Sequence, residues 1–208
     1  MPTDHVEAVH RALLEGALSA EDLSARRLSA FLGQTTGALY HRHGSLDGFL
    51  LAVSQLAYAE LGRRLEAAFE ARHDAADVAQ AFVEMGLDHP ALYALMFERR
   101  FDWAALRKSG AFDRALEATR VMTRIVEMLG QGGSTDPVMD ARLLLSALHG
   151  LVSLASTGRA NFGALDVPDR EMAVALAREL ASRAVPGCVA QRAEETTTAT
   201  KRRARRGR

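Results

Sequence analysis

A single cysteine, Cys188, in 208 residues excludes an internal disulfide framework and any zinc site built from several thiolates. Prolines number five, and 48% of residues are hydrophobic against 25% charged. That balance suits one or two domains with a sizeable core rather than a disordered chain. β-Branched residues are few, and alternation of apolar and polar residues never persists beyond about five positions. Ala and Leu dominate instead, so the expected class is all-α. No basic-plus-apolar leader opens the chain, and no apolar stretch reaches about 18 residues, which points to the cytoplasm and away from a membrane. The net charge is zero. Residues 201–208, KRRARRGR, nevertheless carry six cations and no acid, whereas residues 1–187 hold 19 Lys/Arg against 24 Asp/Glu.

Apolar spacing predicts a first helix over about 4–18, with Val6, Val9, Leu13, Leu14 and Ala17 on one stripe. Ser24 caps a second helix that carries Leu28, Phe31 and Leu32 inward and stops at Gly33. Thr35 caps a short third helix ending near His41, and Gly44-Ser45 leads into a fourth that keeps its rhythm to about Arg72. Further helices are expected near 75–87, 90–100, 110–129, 137–158 and 168–185. The runs 130–135 and 161–168 read as loops, and the stretch from about Val189 onward as disordered. The domains expected are residues 1–50, residues 51–187 and a basic tail, 188–208.

Two short helices joined at a glycine, the second one polar, match the layout of a helix-turn-helix unit. The second helix of such a unit enters the DNA major groove with its N-terminal residues at base edges. Thr35, Thr36 and Gly37 occupy that end, Gln34 precedes it, and Leu39 points back into a small core. Tyr40, His41 and Arg42 are placed to reach phosphates, which position a protein without reading sequence. Ser24, Arg26 and Arg27 of the second helix complete the expected DNA-facing set.

The stretch LSARRLSAFLGQTTGALYHRHGSLDGFLLAV, residues 23–53, resembles the N-terminal domain of the TetR (tetracycline-repressor-like) family of bacterial regulators. Gly33, Thr35, Gly37, Leu39, Tyr40, Ser45, Phe49 and Leu50 fall in that family's register. Departures are Gln34 for the usual Val, Arg42-His43 for His-Phe, and Leu46 for the Lys that opens the fourth helix. Residues 1–50 hold four Arg against six acids, a weak electrostatic footprint for a DNA-facing surface. Two more fragments, DHPALYALMFERRF (88–101) and LSALHGLVSLASTGR (145–159), resemble the branch whose C-terminal domain carries a Trp-His-Gly signature.

The resemblance implies a three-helix DNA-binding head, joined by a long helix to a C-terminal bundle for dimerisation and ligand binding. It also implies pairing of the last two helices in a homodimer. The near-continuous apolarity of residues 143–155 fits that role, because a helix apolar on every side must be covered on every side. The expected interface is Leu145, Leu148, Val152, Leu176 and Leu180. Large, adaptable side chains gather mid-chain, as a pocket for a small hydrophobic effector requires: Phe82, Met85, Tyr93, Met96, Phe97, Phe101, Trp103, Met122 and Ile125, with His149 as a polar partner.

Catalytic readings find little footing. The Gly130–Gly133 run lacks the Lys-Ser/Thr of a phosphate loop. Glu7 and His10 supply one half of a di-iron motif with no second half, and His41 and His43 have no complementary ligands beyond Asp47. No metal, cofactor or catalytic residue is expected. The expected function is a homodimeric DNA-binding repressor released by a small hydrophobic effector. The alternative is a helical ligand-binding or protein-interaction module with a vestigial helix-turn-helix.

Overall fold

The computed structural model describes residues 5–112, 116–161, 163 and 166–184, and among them there are helices and no strand, as the composition leads one to expect. Cys188 and the basic tail lie outside the described residues. In order, the helices are α1 (His5–Leu14), α2 (Ala25–Phe31), α3 (Thr36–His43), α4 (Leu46–Arg72) and α5 (Ala75–Asp88). There follow α6 (Pro90–Tyr93), α7 (Trp103–Lys108), α8 (Glu117–Gln131), α9 (Pro137–Ser156) and α10 (Asp169–Ala184).

Local chemistry explains most of the boundaries. The first helix ends at Leu14, short of the expected 18, because Gly16 adopts a left-handed conformation, φ 72°. The Ala17 N–H then donates back to the Ala12 carbonyl at 2.8 Å, closing the helix end. Past α6 the chain widens into a π turn, Ala94–Glu98, which the Arg99 N–H closes on the Ala94 carbonyl at 2.8 Å. The Tyr58 hydroxyl donates to the Met96 carbonyl within that turn at 2.8 Å, and burial pushes its pKa up to about 12.

Helix α7 lies in the stretch that the sequence expectation left without a helix, between those expected near 90–100 and near 110–129. Asp102 caps α7 by accepting from the Ala105 N–H at 3.0 Å. Gly110, φ 69°, ends it. The next helix begins only at Glu117, whose N–H donates to the Gln55 side chain at 2.9 Å.

The described residues fall into two compact units. One draws on Met1–Arg63 and Met85–Val121, the other on Arg64–Glu84 and Met122–Arg208. In the first, Val9 and Leu13 of α1, Leu28 of α2, Leu39 of α3, and Phe49, Leu50 and Val53 of α4 are buried. These small-domain side chains each contribute on the order of 2 kcal/mol by leaving water. In the second, α9 and α10 pack together, and α10 buries Ala173, Ala177 and Ala181 at successive turns. Short side chains at that spacing let a helix pack close to its neighbours.

Candidate nucleic-acid interface and effector cavity

Helices α2 and α3 are set by their caps and by one glycine. The Ser24 hydroxyl accepts from the Arg27 N–H at 3.4 Å, and Thr35 Oγ1 accepts from the Ala38 N–H at 3.2 Å. Between them Gly33 takes φ 63°, so the Gln34 N–H can return to the Ser29 carbonyl at 2.9 Å. Among the described side chains of α3, Leu39 is buried, while Thr36, Gly37, Ala38 and His41 are exposed, with Gln34 and Thr35 exposed just ahead of them. A Cβ placed on Gly37 would meet nothing nearer than Thr35 Oγ1 at 3.8 Å, so another molecule could approach this backbone closely. The side chains of Tyr40 and Arg42 lie outside what is described.

On α2, Arg26 is exposed, but Arg27 is engaged: its guanidinium donates to Asp22 Oδ1 at 2.6 Å. Asp22 also accepts from the Ser19 hydroxyl and backbone N–H, at 2.7 and 2.8 Å. The Ser19 bonds, with the Arg27 contact adding to them, hold the Asp22 carboxyl down to about 2.

The first turn of α4 follows α3 after two residues. Ser45 caps it, accepting from the Gly48 N–H at 3.0 Å. Asp47 on this turn accepts from Arg99 Nη2 at 2.8 Å and from the Asp102 N–H at 2.9 Å. Burial would raise the Asp47 carboxyl. The Asp102 N–H and the Arg99 charge outweigh it and hold the group below its ordinary value. One turn on, Leu51 forms a small core with Leu106 and Ala111, and Phe101 packs against it.

The second unit contains an apolar cavity of about 40 Å³. Leu65 and Phe69 come from α4, Ala75, Val78, Ala79 and Phe82 from α5, and Ile125, Met128 and Leu129 from α8. Ala141, Leu144, Leu145 and Leu148 of α9 complete it, and no lining residue is polar. Phe82 and Ile125, expected on a pocket, line this cavity. Met122 and His149 belong to the same unit without lining it.

Met85, Tyr93, Met96, Phe97, Phe101 and Trp103 lie in the other unit. There Phe97 meets Tyr58 and Tyr93 at ring distances of 5.7 and 4.8 Å, as interior packing. Trp103 is 44% exposed. Composition marked the aromatic and Met-rich stretch but not which helix faces converge. The cavity wall from Val78 and Leu144 carried no signal apart from ordinary helical spacing.

The faces of α9 divide in an informative way. Leu148 and Val152, expected at a dimer interface, are buried within the chain itself, and Leu145 is half-buried. Val138, Met139 and Leu143 are instead 46%, 47% and 60% exposed. A Cβ on Gly150 would meet nothing within 4 Å. On α10, Leu176 and Leu180 are half-buried, because the alanines take the interior face. By length and composition α9 is also apolar enough to cross a membrane, a test that the core helix of a soluble protein passes as well. Among the described residues no group of His, Cys, Asp and Glu is arranged to hold a metal ion.

Comparison with known proteins matches residues 75–180 to a family described as Tetracyclin repressor-like, C-terminal domain. A solved structure of a protein with unknown function from Rhodococcus sp. RHA1 is also similar, with 22% identity and a TM-score of 0.58. The alignment covers 85% of this chain and 95% of that one. At that identity the likeness concerns the fold alone. No curated protein matches.

Proposed function

Since the chain belongs to the tetracyclin repressor-like family, we propose that it acts in the cytoplasm as a homodimeric DNA-binding repressor released by a small apolar effector. The observation that carries the reading is the α2–α3 pair. Gly33 sets the angle, Leu39 anchors α3, and a polar, open face from Gln34 to His41 is left for the major groove. The domain boundaries expected from the sequence, near 50 and 187, are part of the same proposal. So is membership of the Trp-His-Gly branch.

For the dimer, the exposed apolar face of α9, with Leu143 its most exposed large side chain and Leu176 and Leu180 of α10 half-exposed, supports a two-fold four-helix contact. For the effector, the cavity is lined by apolar residues, so it suits a hydrocarbon group. Its 40 Å³ holds only a few atoms, so a larger ligand must part the walls. One of those walls is α9, whose other face forms the proposed dimer contact. Ligand entry therefore acts on the spacing of two recognition helices by favouring one dimer arrangement over another.

The full chain, challenged with a random duplex library at roughly physiological salt, should enrich a two-fold symmetric motif. Its half-sites should lie about 10 base pairs apart or a multiple of that. Unselective binding to every duplex would overturn the reading. The acidic head and the Arg27–Asp22 pair favour a second reading, a ligand-binding module whose helix-turn-helix no longer reads DNA. That reading predicts effector binding without any enriched motif.

A further inference from the structure

We propose that Arg100, Arg107 and Lys108 form a second DNA contact that grips backbone phosphates flanking the groove entered by α3. The inference rests on the reading of α2–α3 as a DNA-binding unit and adds a surface that lies outside it.

Placement comes first. Asp47, four residues past the end of α3, holds both Arg99 and the Asp102 backbone, so the segment that starts α7 is tied to the first turn of α4. Leu106 then packs on Leu51. Leu51 lies five residues beyond Leu46, or about 7.5 Å along the helix axis. The major groove is about 12 Å wide, so a helix lying in it has phosphates to either side within a comparable distance. Arg107 and Lys108 follow Leu106 directly and are both exposed.

Charge comes second. Residues 99–108 hold four cations and one carboxylate. Arg99 neutralises Asp47, and the Asp102 carboxylate is occupied as the cap of α7. Arg100 is exposed, and among the described residues neither it nor Lys108 has an ion pair. Arg107 lies over the Phe112 ring at 4.9 Å, and Trp103 meets the same ring edge-on at 5.8 Å. That stack restrains the arginine stem, so less side-chain freedom is lost when the guanidinium meets a phosphate.

Need comes third. Residues 1–50 offer four arginines, of which Arg27 is already paired, and the first turn of α4 carries Leu46 and no cation. Phosphate contacts supply much of the affinity for duplex DNA. The cations beside the start of α4 offset that deficit without disturbing the face of α3.

The test uses the full chain and the duplex enriched by selection, with affinity measured across a KCl series. In Arg100→Gln/Arg107→Gln/Lys108→Gln each side chain stays unbranched and polar, becomes shorter and loses its charge. The slope of log affinity against log salt should become shallower by about 2–3, at roughly 0.9 for each phosphate that is no longer neutralised. Phosphates outside the α3 groove should cease to show ethylation interference, while the base motif stays the same. Lys108→Gln alone, which makes no contact in the ring stack, should remove about one unit, and Arg107→Lys in place of Arg107→Gln should restore the Arg107 share. An unchanged slope and interference pattern in a folded triple variant would overturn the inference and leave the repressor reading standing. That outcome would leave the exposed Trp103 patch to a protein partner. If the unaltered chain enriches no symmetric motif, the repressor reading fails first, and the inference with it.

Discussion

His10 shows what burial does to one side chain. It sits half-buried on α1, its Nε2 enclosed without a hydrogen-bond partner among the described residues. Burial lowers its pKa from the ordinary 6.5; Glu60 pulls upward, while Arg63 and His89 push down. A folded pKa below the unfolded one means that the unfolded chain takes up the proton first as pH falls. Stability from this site is therefore intact above 6.5 and declines as pH drops through that value toward the lower folded pKa. His10→Leu should flatten the fall in thermal midpoint between about pH 7.5 and 5 relative to the unaltered chain. Parallel curves for the two proteins would show that His10 is not responsible. Nothing in the sequence marked His10 for this role, because its neighbours come from α4 and the turn before α6.

At the scale of elements, caps and glycines were the most legible features. Ser24, Gly33, Thr35 and Ser45 mark the helix ends where local hydrogen bonds require them. Gly33 can be isolated experimentally, because a Cβ there would touch nothing within 4 Å. The cost of Gly33→Ala is then conformational alone, about 1–2 kcal/mol for the left-handed backbone, read as a lower urea midpoint. Gly33→Asn should cost less, since Asn tolerates that region. The same signals were present at α7, with Asp102 before it and Gly110 after it. Its six residues were too few for apolar periodicity to show, and what holds it is Leu106 against Leu51. The π turn at 94–98 had no local signature either. It is held by a backbone bond from Arg99 and by a hydroxyl from Tyr58, 38 residues away.

At the scale of the whole molecule, the question is how the apolar faces of α9 are shared. Leu144 and Leu148 face the cavity, while Leu143 stands 60% exposed. In the proposed dimer, Leu143→Glu places a carboxylate where a partner's apolar surface should lie. It should shift the protein toward monomer in sedimentation at micromolar concentration, with helicity retained. A dimer that persists unchanged would mean that this face is not the contact. Leu148→Glu would be a poor substitute for that experiment, since it breaks the protomer's own core.

The all-helical class, the α2–α3 unit and the long α4 were determined by the sequence itself, because periodicity, caps and left-handed glycines are properties of neighbouring residues. Which face of α9 is interior, which of the large apolar residues line the cavity, and that Asp47 holds Arg99 were decided only by the tertiary structure. The physical reason is common to all three. A helix apolar on every side has no preferred face until its neighbours take one. A carboxylate likewise has no preferred cation until packing brings together residues that are 52 positions apart.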